Sequence, residues 1–133
     1  MTVWAYADGD TRSLAMPAAV KRKAFATLKR RQITGARALV RLYTAALLLL
    51  LKDVVIIPDV VIEIDREYPG YDADIKAMLL LKFHREGADV AAETIAFAHI
   101  GKKAKAHDAA WQVFVGLKEP DLKVTWAEVE KVL

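Results

Sequence analysis

Val60-Val61-Ile62-Glu63-Ile64-Asp65 reads as a β-strand that ends in a carboxylate, and Tyr68-Pro69-Gly70 turns the chain directly after it. Side chains alternate along a strand, so Val61, Glu63 and Asp65 share one face and Ile62 and Ile64 the other. Past the turn, Ile75, Met78, Leu79 and Phe83 recur at helical spacing. Asp72 or Asp74 stands near that helix's positive end, and Gly87 stops it. Residues 94–100 read as a further strand and residues 104–115 as a helix stopped at Gly116. A strand, helix, strand, helix order favours parallel neighbours, because a parallel crossover needs the length that a helix supplies.

Working outward, residues 2–7 form a short aromatic and aliphatic strand that Asp8-Gly9-Asp10 turns. Residues 11–16 are assigned to no strand. Pro17 suits the first turn of a helix whose apolar positions are Val20, Ala24, Phe25 and Leu28. Gly35 interrupts that helix, and residues 36–51 continue as one that becomes apolar nearly all round. Residues 53–57 are β-branched and end at Pro58, and Thr125-Trp126-Ala127-Glu128 has the capping-box spacing of a short terminal helix. The expectation is one α/β domain over residues 1–133, with a small mixed or mostly parallel central sheet covered by helices.

The 133-residue chain is long enough to bury a core without staples. It has no cysteine, which excludes disulfides, thiolate metal sites and a thiol nucleophile. Any metal must therefore take oxygen and imidazole ligands. The longest apolar run, residues 42–51, is far short of the roughly 20 residues that span a bilayer. No basic and apolar leader precedes it, so a soluble, cytoplasmic protein with no membrane partner is expected.

Charge is divided sharply. Residues 11–52 hold ten basic side chains and no Asp or Glu; residues 1–52 sum to +8 and residues 53–133 to −5, which makes the net +3. The basic segment, with Lys21, Arg22, Lys29, Arg30 and Arg31 on its first helix, can meet the phosphates of DNA or RNA. It can equally neutralise the acidic remainder within the fold. Gly101-Lys102-Lys103 near a helix start, joined by Lys105, offers backbone N–H groups and ammonium charges to phosphate, but it lacks the glycine spacing and Lys-Ser/Thr ending of a P-loop. Ser13 is the only serine and has no nucleophile-elbow context.

Three fragments carry a resemblance to the ribonuclease H-like superfamily: Tyr6-Ala7-Asp8-Gly9-Asp10, Ile64-Asp65-Arg66-Glu67-Tyr68, and the run from His99-Ile100-Gly101 to Asp108. The resemblance implies Asp8, Asp65 and Asp108 as ligands of Mg²⁺ or Mn²⁺ and His99 as a proton-handling residue in phosphodiester cleavage. The superfamily's usual hairpin after the first strand is not expected here. No acidic residue between Thr11 and Lys52 supplies its helix carboxylate, for which Glu63 is the substitute if it points to open space.

The same residues also have plain structural uses: Asp65 as a cap, Asp8 and Glu63 as solvated strand-edge charges, Asp108 as a helix-start acid. Trp4, Trp111 and Trp126 can stack on bases or pack in the core. Three functions are thus in play. They are a metal-dependent phosphodiesterase, a non-enzymatic nucleic-acid-binding module, and a homo-oligomer covering the apolar surface of Leu39, Leu42, residues 47–51 and the β-branched segment that follows them.

Overall fold

A computed structural model of the chain describes residues 1–7, 11–52, 61–99 and 105–133. The elements run β1 (Thr2–Ala7), β2 (Thr11–Met16), α1 (Ala18–Arg30), α2 (Gly35–Leu51), β3 (Ile62–Asp65), α3 (Asp72–Arg85), a 3₁₀ turn (Ala92–Thr94), β4 (Ile95–Ala98), α4 (Lys105–Phe114), β5 (Leu122–Lys123) and α5 (Trp126–Val132). The expected strand over residues 53–57 lies outside the described residues.

The apolar surplus of α2 organises these elements. Ala38, Leu42, Ala45, Ala46, Leu49 and Leu50 lie along one side of the helix and pack with Leu14 and Met16 of β2, Ala24 and Leu28 of α1, and Val129 of α5. Val40, Tyr43, Leu47, Leu48 and Leu51 lie along the other and pack with Ile64 of β3, Ile75, Leu79 and Phe83 of α3, and Ile95 of β4. One helix thus serves two cores. Within its buried stretch, Thr44 donates its hydroxyl to the Val40 carbonyl at 2.8 Å. Leu42 and residues 47–51 are buried within the chain, so that part of the surface expected to seek a partner is covered by the fold itself; Leu39 is exposed, and the β-branched residues 53–57 lie outside the described residues.

The α/β expectation holds, with a finer division of the sheet than the sequence led one to expect. β1 and β2 pair antiparallel, Thr2 opposite Met16 through Ala7 opposite Thr11, and β5 adds parallel to β2. Residues 11–16 are therefore a strand, and the hairpin is present. β2 escaped notice because Thr11, Arg12 and Ser13 are polar at its start while Leu14, Ala15 and Met16 are all buried, so it shows no alternation. Its even positions face the α1–α2–α5 core, and α4 packs against β1 and β2 from the other side. Buried Ser13 joins β2 to the segment before β5: its N–H donates to Asp121 Oδ2 at 2.8 Å, its hydroxyl does so at 3.2 Å, and the Asp121 N–H returns a bond to Ser13 Oγ at 3.2 Å. The second sheet is the parallel pair β3–β4.

Local signals place the helix ends. α3 carries Asp72 and Asp74 in its first turn, and Gly87 takes φ +84° as the Ala88 N–H reaches back to the Phe83 carbonyl at 2.9 Å. The Thr125–Glu128 capping box is formed in both directions. Gly35, however, opens α2; α1 ends earlier, with Gln32 at φ +62° and the Ile33 N–H bonded to the Leu28 carbonyl.

Leu48 and Leu50 are each 1% exposed, one in each core. Leu48→Ala and Leu50→Ala are each expected to cost about 2–5 kcal/mol. Because α2 is shared, urea unfolding followed by helix signal and by tryptophan fluorescence should stay coincident in both variants. Separate transitions for the two cores would contradict the shared-helix architecture.

Candidate functional site

Alternation along β3 turns Ile64 into the second core, where it is 3% exposed, and leaves Glu63 and Asp65 in solvent. In the parallel register Asp65 stands opposite Ala98, and the Arg66 N–H donates to the Ala98 carbonyl at 3.0 Å. His99, the next residue and exposed, therefore leaves the same C-terminal edge of the pair as Asp65. The C-terminal edge of parallel strands is where open α/β sheets hold ligands.

Groups that sequence reasoning did not single out complete this edge. The Glu67 N–H donates to the Asp65 carbonyl at 2.9 Å, and the Tyr43 hydroxyl reaches the same carbonyl from α2 at 3.3 Å. Tyr43 and Tyr68 stack tilted, with centroids 5.2 Å apart. Partial desolvation raises the carboxyl of Glu67, a residue still exposed overall, above the ordinary glutamate range, and the neighbouring Asp65 charge raises it further. Burial, then Glu67 and Asp65, likewise raises Tyr43, whose hydroxyl stays protonated, and Tyr68 is raised by burial and then by Glu67. Arg66 Nε pairs with Asp72 Oδ2 at 2.8 Å, bracing the turn, while the buried Asp72 Oδ1 has no hydrogen-bond partner among the described residues. The only signal for Glu67 in the sequence was its place two residues after Asp65. Tyr43, more than twenty residues away, gave none.

Asp8 lies outside the described residues, as do Lys102 and Lys103. Asp108 sits in the first turn of α4, packed mainly on β1 and β2, and accepts a hydrogen bond from Gln112 Nε2 at 2.9 Å. Among the described residues no three His, Asp or Glu side chains gather as a metal-binding group.

Arg22, Lys29 and Arg30 are exposed on α1 and Arg31 directly after it, and Lys105 is exposed at the start of α4. Lys21 is engaged within the fold: its ammonium donates to Thr2 Oγ1 at 3.0 Å and stands 6.0 Å from the centre of the Phe25 ring. The basic surface continues onto residues that the sequence did not connect with it. Arg41 and Lys82 donate to the last carbonyls of the chain, Leu133 and Val132. Burial lowers the Lys82 ammonium below the ordinary lysine range, and Arg41, Arg85 and Arg31 lower it further.

No protein-family model, curated protein or solved structure matches this chain. Among the described residues no helix is long and apolar enough to cross a membrane.

The Glu67 shift has a definite sign. A carboxyl whose folded pKa is raised holds its proton longer in the native state than in the unfolded chain. Stability is therefore lost as pH rises from the ordinary glutamate value, about 4.3, through the raised one. Glu67→Gln should flatten that fall in Tm across the window and raise Tm at neutral pH. A Tm profile unchanged by the substitution would show that neither desolvation nor the Asp65 charge raises the Glu67 carboxyl.

Proposed function

We propose that this chain is a nucleic-acid-associated α/β protein, and that the C-terminal edge of β3–β4 cleaves phosphodiesters with the help of a divalent metal. The observation that carries the reading is the strand register that brings Asp65 and His99 to one edge. The antiparallel β1–β2 hairpin, which the ribonuclease H-like resemblance calls for, supports it as well.

Asp65 and Glu67 offer oxygen ligands of the kind that Mg²⁺ and Mn²⁺ take, and their mutual repulsion is of the sort that a bound cation relieves. On the resemblance, Asp65 would hold the metal together with Asp8 and Asp108. The metal would supply charge stabilisation at the attacking and leaving oxygens. The chain's own part is then to position the carboxylates on a braced strand end, to hold or release a proton at His99, and to draw the phosphate backbone onto the basic helix α1.

A second reading is a non-enzymatic module that grips phosphate backbones. Its support is the exposed basic surface of Arg22, Lys29, Arg30 and Arg31.

Both readings are tested by incubating the protein with labelled single- and double-stranded DNA and RNA, with and without Mg²⁺ or Mn²⁺. The first expects metal-dependent cleavage that Asp65→Asn lowers on the order of a hundredfold or more while binding is kept. The second expects binding without cleavage. Its affinity should fall with salt, and a Lys29→Glu, Arg30→Glu, Arg31→Glu triple variant should have a shallower salt slope, by about 0.9 for each phosphate that is no longer neutralised. Neither binding nor cleavage would overturn both.

A further inference from the structure

The helix α4 is built inside out. Ala109 and Val113 are buried and Ala106 and Ala110 half-buried, so its inner face against β1 and β2 is made of small side chains. Trp111 is 52% exposed and Phe114 61%, and both share the outward face with His107 and Asp108. Gly116 at φ +83° then folds the chain back, with the Leu117 N–H bonded to the Gln112 carbonyl at 2.9 Å, which adds Val115 at 44% and Leu117 at 72% exposure beside the two rings. An amphipathic helix that serves only its own core would place the aromatics inward and the alanines outward.

We propose that this face binds a second copy of the chain, with α4 packed antiparallel on its symmetry mate. Two observations choose that occupant. The charges around the patch balance among the described residues, Lys105 and Lys118 against Asp108 and Glu119. Among the described residues this face thus lacks the positive surplus that a phosphate backbone requires and that α1 carries; Lys102 and Lys103, which precede α4, lie outside them. The charges are also self-complementary: Asp108 lies at the start of the outward face and Lys118 just past its end. A twofold antiparallel pairing therefore sets Asp108 of each copy against Lys118 of the other, with Trp111 and Phe114 stacked between them. Trp111 and Phe114 keep a little over half of their surface exposed, so each can bury roughly half of the 150–250 Å² of an aromatic side chain. With Val115 and Leu117 they form the apolar centre, and the surrounding polar rim supplies the rest of an interface of roughly 800 Å² per partner.

The proposal gives Asp108 a contact in the dimer in place of the ligand role that the resemblance implies, and its readout is association, not cleavage. It is tested with the whole chain by sedimentation equilibrium over a concentration series. The expected result is a monomer–dimer equilibrium that Trp111→Ser with Phe114→Ser weakens by about a hundredfold, with the circular dichroism spectrum unchanged. If that variant unfolds, charge reversal decides instead: Asp108→Lys should weaken the dimer, and Asp108→Lys combined with Lys118→Asp should restore it. A wild-type chain that stays monomeric, a dimer indifferent to both sets of changes, or a reversal that fails to restore pairing would overturn the proposal. So would Trp111-dependent binding of single-stranded oligonucleotides by a monomer.

Discussion

Everything in this fold hangs on the burial of one helix from both sides. α2 has too many large apolar side chains for a single contact face, and ten consecutive residues, 42–51, are removed from water. A helix apolar all round must be central. The α1–α5 layer with the β1–β2–β5 sheet closes one side of it, and α3 with the β3–β4 pair closes the other. Trp4 and Val132 touch both cores, so the two halves share side chains as well as a helix.

The candidate site inherits its geometry from that arrangement. Tyr43 belongs to the side of α2 that meets the second core, and its hydroxyl meets the backbone carbonyl of Asp65. Ile64 anchors the end of the strand in the same core, so the carboxylate beside it is held outward on a fixed backbone. Parallel pairing with β4 then brings His99 alongside. A carboxylate, an imidazole and a second carboxylate with raised proton affinity thus stand at the strand ends because a buried helix positions the strand beneath them.

Charge is arranged on the same scaffold. The basic first third of the chain leaves Arg22, Lys29, Arg30 and Arg31 in solvent, whereas Arg41 and Lys82 turn toward the carbonyls that end α5. Cations gathered at a helix C-terminus answer its partial negative charge. They also crowd one another, and the lowered proton affinity of Lys82 records that crowding on top of its burial. α4 differs: it is short of charge and rich in exposed aromatic surface, which separates an apolar face from the basic one.

Read by itself, the sequence determined what depends on neighbours a few residues away. The alternation that buries Ile64 and exposes Glu63 and Asp65, the stripe of Ile75, Leu79 and Phe83, the glycine stops at Gly87 and Gly116 and the Thr125 capping box all follow from local periodicity and backbone preference. Only the tertiary structure decided the rest. Residues 11–16 became a strand because β1 and β5 lie on either side of them to take their hydrogen bonds, not because of their own pattern. Trp111 faces water because the surface of β1 and β2 accepts alanines closely, although an apolar position in a helix reads the same whichever way it turns. Tyr43 and Asp65, or Arg31 and Lys82, are brought together by packing across helices. Periodicity fixes the direction of a side chain relative to its own element, but its partner is set by how elements distant in sequence dock, and no local spacing encodes that.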